Sequence, residues 1–580
     1  MTRPVLVLPT GRRPPKTSLR DFSPIYSVHR CAAVLAASLF AITSCVLASG
    51  FDLTDESHYL LAIWRPWVYE ATISQFGFIY FPLSALFGHD LWLLRLSNLI
   101  ISWLLVAGLF LSLIPAHSHQ ATTRTRICLA FSLASSTLFQ LNFGLSTPSY
   151  NTLNFQGLIC LAIAIVWLPQ KYRIAATLAG IAGALILLAK PSSALCAALI
   201  YVGVLPMITK PRLWISALTI SALSSTCALA GFGMLLEGDP MALVRRILGG
   251  WKALNILLPD RTLIGSVRLD APPQWPLILS AVILYTILLA HRTPYSSNTT
   301  RLYSQLWFYS AFAVTFITTI FASKYLKAPQ LIVLSLLPVA AIATTRRKFG
   351  RRDLTIASAL CLLPLAYAFG SGNNYWLVAV QCGALWVASA LILANPDQPA
   401  NTQRFWNRST VLVSCLAGLT VLNLAAKPYR QETLLFKWEN TETLAIMGGE
   451  VLVHKKTKTF ATKLRGAAID AGWKAHTPLI DLSGETPGAA LLLNATAPVS
   501  PWIIGGLPRS RRFAQWIIDT SDNSSHTPWY LTSPNGQRRI ELETHPPAGS
   551  YTRVLSASLP CPKKSCDQVE LWAPIDRTTN

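Results

Sequence analysis

The chain has 580 residues, 52 % of them hydrophobic and only 13 % charged, with a mean hydropathy of +0.42 and a formal net charge of +23. That balance excludes an ordinary soluble globular domain and points to a multi-span membrane protein, with room for about a dozen spans plus a soluble module. The basic residues fall largely in short clusters between apolar runs and along the tail, so membrane topology explains much of the charge and nucleic acid is not an expected partner.

Residues 1–30 are basic, with Arg3, Arg12, Arg13, Lys16, Arg20 and Arg30, and read as a cytoplasmic N-terminal tail. Apolar runs then recur at about 31–51, 91–114, 127–145, 154–168, 174–189, 192–208, 214–236, 276–290, 307–322, 329–345, 354–370, 376–394 and 409–426. Thirteen spans place the N-terminus inside and the C-terminus outside. The loops expected inside carry Arg124 and Arg126, Lys171 and Arg173, Lys210 and Arg212, Arg292 and Arg301, the run RRKFGRR at 346–352, and Arg404 and Arg408. The short outside loops at 146–153 and 371–376 have no Lys or Arg, as the positive-inside rule requires. The longer outside loop 237–275 departs from the trend, with Arg245, Arg246, Lys252, Arg261 and Arg268. In the first run, Ile42-Thr43-Ser44-Cys45 loosely matches a lipoprotein cleavage box, but the basic leader is long for a signal peptide and the run is read as a span.

Nine of the eleven cysteines lie in or beside apolar runs, where they act as small hydrophobes. Cys561 and Cys566 sit in polar sequence and are expected to form a short-loop disulfide if the tail is extracytoplasmic. After Lys427-Pro428 the texture changes to Gly, Pro, charge and short apolar patches. Residues 428–580 therefore read as a soluble mixed α/β domain, with 31–427 as the membrane domain. The histidines of the tail are scattered, and no Ser/His/Asp or metal constellation stands out there.

The polar motifs all fall on the outside face. They are TDESHY after the first run, SQFGFIYFPLSALFG at 74–88, STPSYNTLN at 146–154, AKPSS at 189–193 and ASKYLKAP at 322–329. Chance would scatter them over both faces, whereas a membrane-embedded site gathers them on one. The first packs Asp52, Asp55 and Glu56 into five residues, a cluster costly to bury unless it meets water or a metal. Lys190, before Pro191, reads either as a snorkelling interfacial lysine or as a cation for a phosphate at membrane depth. Lys324 and Lys327, flanking Tyr325, carry the same two readings. Ser149, Tyr150 and Asn151 form a polar turn, and Gly77, Tyr80 and Pro82 read as packing and a helix kink.

An acidic pair directly after the first span, a proline-containing stretch, and then LFG…LWLLRLSNLIIS (Leu86 to Ser102) resembles the C-type (GT-C) membrane glycosyltransferases. The nearest relatives by this resemblance are the protein O-mannosyltransferases and the lipid A aminoarabinose transferases. It covers about residues 30–345, and AKPSS and KYLKAP are similar to that family too. It implies a polytopic α-helical membrane protein of about 13 spans in the bacterial inner membrane, GT-C-like, with a periplasmic mixed α/β C-terminal domain. It further implies inverting transfer of a sugar from a polyprenyl-phosphate donor in the lipid bilayer to an acceptor whose identity it leaves open. Carried over by position, Asp55 looks like the general base and Glu56 its acidic neighbour, the two together ligating a divalent metal of unspecified identity. Lys190, Lys324, Tyr325, Lys327, Tyr150, Asn151, Gln75 and His58 are the expected substrate-binding residues. Relatives often show a charged residue and paired prolines where this chain has Gln75-Phe76-Gly77 and a later Pro82, and an Asp where it has Ser149-Tyr150-Asn151. A transporter or flippase for a lipid-linked or anionic substrate is the competing reading. It predicts inverted repeats, and the two halves of this chain show no convincing repeat.

Overall fold

A computed structural model describes residues 25–114, 123–259, 267–268, 270–271, 278, 281–282, 329–343, 350–394, 399–426, 428–431, 438–521, 527–542, 546, 549–560 and 567–575. The expected spans at 276–290 and 307–322 lie largely or wholly outside the described residues, as do Lys324, Tyr325, Lys327, Cys561 and Cys566. The other eleven runs are helical over most of their length.

Helix α1 (Ile25–Val46) leads to two short helices, α2 (Asp55–Trp64) and α3 (Phe76–Leu86), and then to α4 (Leu91–Leu113). Next come α5 (Thr123–Leu133), α6 (Tyr150–Trp167), α7 (Tyr172–Ala189), α8 (Pro191–Ile208), α9 (Pro211–Glu237) and α10 (Ala242–Leu257). The later helices are α11 (Leu336–Ala343), α12 (Arg351–Ala368), α13 (Tyr375–Ala379), α14 (Gly383–Ala394) and α15 (Pro399–Ala426). Among the described residues, seven helical stretches are long and apolar enough to cross a membrane by length and composition: α4, α6, α7, α8, α9, Tyr375–Ala394 and Arg408–Ala426. Four expected runs differ for local reasons. The apolar part of α1 is short, α5 gives way to a 3₁₀ stretch over Ala134–Phe143, the 329–345 run starts as 3₁₀, and α12 begins on Arg351, Arg352 and Asp353. The boundaries follow sequence punctuation. Asp90 caps α4 by accepting from Leu93 N–H at 2.8 Å, Pro191 and Pro211 occupy first-turn positions, and α9 stops at Gly238.

The tail forms a hairpin of β1 (Thr441–Ile446) and β2 (Gly449–His454), then α16 (Lys455–Asp470), β3 (Leu479–Asp481), α17 (Pro487–Leu492) and α18 (Ser510–Ser521). Strands β4 (Trp529–Thr532), β5 (Tyr551–Ser558) and β6 (Gln568–Pro574) complete a four-stranded sheet of order β3-β4-β6-β5, with only β3 and β4 parallel. One hydrophobic core fills the helical bundle. A second is shared, because Tyr59, Leu60, Phe76 and Leu94 pack into the same cluster as Val451, Phe460, Leu464, Leu491 and Trp529. Backbone bonds seal the seam. Gly50 N–H donates to Leu452 O at 2.8 Å, Leu452 N–H to Ala48 O at 3.2 Å, and Gly488 N–H to Leu53 O at 2.9 Å. Helix α2 therefore lies between bundle and tail domain. It crosses α3 at Gly77, where a Cβ would stand 2.0 Å from the Ala62 carbonyl oxygen.

Candidate active site

The acidic cluster at the start of α2 divides into three different jobs. Asp52 and Glu56 cap one another: Asp52 N–H donates to Glu56 Oε2 at 2.9 Å, and Glu56 N–H donates to Asp52 Oδ2 at 3.2 Å. This is the reciprocal logic of a capping box, and Thr54 Oγ1 adds bonds of 2.9 and 2.7 Å to the Asp52 carboxyl. Burial pushes the Asp52 carboxyl up to about 7, against the Thr54 hydrogen bond. Glu56 is buried as well. Its Oε1 accepts from Arg95 Nη2 at 2.5 Å and from Thr147 Oγ1. Arg95, 2 % exposed, also donates to the carbonyls of Leu47 at 2.7 Å and Gly50 at 2.8 Å. The Arg95–Glu56 pair thus stitches α4 to the exit of α1.

Asp55 alone of the three lines the large cavity. Successive helical residues point about 100° apart, so Asp55 and Glu56 cannot both present to one ligand from the first turn of α2. Asp55 lines a cavity of about 730 Å³. Tyr429 Oη donates to Asp55 Oδ2 at 2.7 Å, and Arg430 Nη1 lies 3.6 Å from the same oxygen. His58, one turn on, also lines the cavity, its ring 5.9 Å from that of Trp502. Burial pushes its imidazole down to about 4 against the pull of Asp55, so it is neutral at neutral pH. Tyr59 meets Phe76 and Tyr150 edge-on at 5.9 and 5.8 Å.

Four of the five polar motifs meet here. Besides TDESHY, the cavity takes Ser74 and Phe76 from the second, Ser149 to Thr152 from the third, and Ala189 to Ser192 from AKPSS. The fifth motif, apart from its last residue Pro329, lies outside the described residues. Lys190 joins α7 to α8, and its Nζ donates to the Tyr367 carbonyl at the end of α12 at 3.0 Å. Ser192 and Ser193 donate to the carbonyls of Phe369 and Tyr367, fixing the turn. Of the expected site residues, Asp55, His58, Tyr150, Asn151 and Lys190 line the cavity. Gln75 does not line it. Its N–H donates to Leu188 O at 2.7 Å and its amide nitrogen to Thr72 O at 2.5 Å, which pins the 72–75 loop to the end of α7. Glu56 is also absent from the lining, for the reason given above.

The sequence reading passed over Tyr429 and Arg430 just past α15, and the wall that the tail domain supplies through Ser500, Trp502, Ile504 and Phe513. It also passed over Trp251, Leu254 and Leu257 of α10. The basic loop 237–275 held the signal for α10, since Arg245, Arg246 and Lys252 sit on an amphipathic helix. Arg246 there pairs with Glu237 and lies over the Phe78 ring.

Among the described lining residues Asp55 is the one carboxylate and Lys190 the one ammonium. No group of three or more His, Cys, Asp or Glu side chains gathers to hold a metal ion among the described residues. With Glu56 turned away onto Arg95 and a guanidinium beside Asp55, this donor set does not fit a divalent cation. The rest of the lining is aromatic rings, amides and hydroxyls. Two enclosed atoms, His58 Nδ1 and Gln140 Oε1, have no hydrogen-bond partner among the described residues. Such a surface suits a hydroxyl-rich ligand with a flat apolar face.

The fold is similar to that of the archaeal oligosaccharyltransferase AglB from Archaeoglobus fulgidus, solved with an inhibitory peptide and a dolichol-phosphate. The TM-score is 0.43 and the identity 10 %, over 89 % of this chain and 70 % of that one. It is also similar to the arabinofuranosyltransferase AftD from Mycobacteria, with a TM-score of 0.44 and 13 % identity, over 94 % of this chain and 40 % of that one. No protein-family model and no curated protein matches the chain.

Proposed function

We propose that this chain is a glycosyltransferase of the bacterial inner membrane that moves a sugar from a polyprenyl-phosphate donor to an acceptor hydroxyl, with inversion, on the periplasmic side. The carrying observation is a single carboxylate, Asp55, set at the edge of a 730 Å³ cavity whose wall also holds Lys190. Asp55 Oδ2 is held by Tyr429 and Arg430, and Oδ1 has no protein partner among the described residues. In this reading Oδ1 takes the acceptor's proton. The acceptor oxygen bonds the anomeric carbon as the bond from that carbon to the phosphate oxygen breaks, and the electron pair leaves with the phosphate. Attack opposite the leaving group inverts the centre. Lys190 offers an ammonium to the departing phosphate, the charge that most needs stabilising. These steps are written without the expected metal, since Asp55 is the one carboxylate among the described lining residues.

The test is Asp55→Asn, which keeps size and hydrogen bonding and removes the proton acceptor. Donor turnover is measured as release of free polyprenyl phosphate from a panel of polyprenyl-phosphate monosaccharides in membranes with matched expression. Loss of the base lowers the rate by about 10²–10⁴-fold. Wild-type turnover in properly inserted Asp55→Asn overturns the reading.

A further inference from the structure

The segment that leaves α15 does not simply link the bundle to the tail domain. It crosses the stretch from the exit of α1 to the start of α2 and is tied to it at three successive residues. Gln431 Oε1 accepts from Phe51 N–H at 2.7 Å, Arg430 Nη1 stands 3.6 Å from Asp55, and Tyr429 Oη donates to Asp55 at 2.7 Å. Arg430 adopts φ +51°, left-handed backbone that non-glycine residues rarely take, so the strap is held against its local preference. Gly50 on the opposing segment has φ +84°, and a Cβ there would stand 2.9 Å from Gln431 Oε1. The fit between the two segments is therefore close on both sides.

We infer that Tyr429 is a positioning residue for Asp55, with Arg430 its support: the strap fixes Oδ2 so that Oδ1 alone is presented to the incoming acceptor. Both strap contacts fall on the same carboxylate oxygen. A carboxylate on a first-turn helical residue rotates freely about its last bond unless something holds it. One hydrogen bond and a guanidinium beside the same oxygen stop that rotation without consuming the oxygen that reacts. Tyr429 suits the task because burial and the Asp55 charge push its phenol up, so it stays a donor through the neutral range. The guanidinium lies 5.0 Å from the Tyr429 ring centroid, which fixes the phenol in turn.

This inference rests on the proposed role of Asp55, so the experiment carries Asp55→Asn beside Tyr429→Phe. Tyr429→Phe removes one oxygen and leaves the ring and the Arg430 stack. The donor-turnover assay above, run against pH with acceptor-containing membranes, is expected to show kcat down by about 10- to 100-fold with donor KM unchanged, the cost of one hydrogen bond to a charged group. The acid limb of the rate profile is expected to move to higher pH, a shift that a merely structural residue would not cause. Arg430→Lys retains most of the rate and Arg430→Gln adds to the loss. Inactive Asp55→Asn together with wild-type kcat and pH profile in folded Tyr429→Phe overturns the inference and leaves the base assignment standing. Active Asp55→Asn overturns both. If Tyr429→Phe fails to insert, Arg430→Gln decides alone, since wild-type kcat there also overturns the inference.

Discussion

Glu56 distinguishes a metal ligand from a structural anchor, and the two roles predict opposite measurements. Glu56→Gln keeps the shape and removes the charge. Its Oε1 now takes Arg95 Nη2 at 2.5 Å and Thr147, and its Oε2 takes the Asp52 N–H at 2.9 Å. An amide offers one acceptor oxygen where the carboxylate offers two, so its NH₂ must face either the guanidinium or the Asp52 N–H. The Arg95 charge is left buried among neutral acceptors, the carbonyls of Leu47 and Gly50 and the Thr147 hydroxyl. Breaking one side of a fully buried pair costs about 3–5 kcal/mol, most of it for the uncompensated charge. The expected outcome is a clear fall in the thermal midpoint of detergent-solubilised protein, with the specific activity of the remaining folded fraction little changed. Removing both charges in Glu56→Gln/Arg95→Met is expected to recover a large part of the loss, so the double-mutant cycle gives a strong coupling. A Glu56→Gln protein with wild-type melting, inactive at low divalent cation and restored by millimolar Mg²⁺ or Mn²⁺, would refute this reasoning and return Glu56 to a metal.

Two further outcomes follow from the same geometry. Lys190→Ala is expected to weaken binding of polyprenyl phosphate by about 10- to 100-fold, with Lys190→Arg recovering part of it; unchanged affinity in a direct binding measurement would remove the phosphate from that end of the cavity. Asp52 governs a pH dependence. A carboxyl whose folded value is raised to about 7 binds its proton more tightly folded than unfolded, so its stabilisation is full below about pH 4 and is lost as pH rises through 7. That span is at most about 4 kcal/mol, and Asp52→Asn is expected to remove it, flattening the melting midpoint between pH 4 and 7 relative to wild type. Parallel curves for the two proteins would show that Asp52 does not titrate there.

The lateral arrangement was legible because lipid leaves strong marks. Apolar runs and alternating basic loops put TDESHY, STPSYNTLN and AKPSS on one face, and all three meet at the cavity. The resemblance pointed to Asp55 with Glu56 beside it, but composition alone could not separate the roles of Asp52, Asp55 and Glu56. Three acids within five residues look alike in composition, and only the helix start at Asp55 sends them to different sides. The Arg95 that claims Glu56 lies 39 positions away inside an apolar run, where a lone arginine reads as an interfacial residue. Tyr429 was out of reach for a plainer reason, since 374 residues separate it from Asp55 and no periodicity pairs them. Breaks inside expected spans were equally hidden. The stretch ASSTLFQLNF lies inside the apolar run 127–145, yet it folds as 3₁₀.

The change of texture after Lys427 marks the end of the last long apolar run, and the site does not end there. Tyr429, Ser500, Trp502 and Phe513 stand on the cavity wall, and α2 packs in one hydrophobic cluster with β1, β2 and α16. Removing residues beyond 427 would strip Asp55 of its donor and expose Tyr59, Leu60 and Leu61 together. The tail domain is for that reason better understood as the second half of the binding cavity than as an appendage to the bundle. Its contribution also differs in kind. The bundle supplies the fixed charges, Asp55 and Lys190, on helix ends whose orientation is set by packing. The tail supplies Trp502 and Phe513, rings that recognise shape and tolerate variation. A chain built this way can change what it binds by altering the 500–513 segment while Asp55 and Lys190 stay where α2 and the α7–α8 turn hold them.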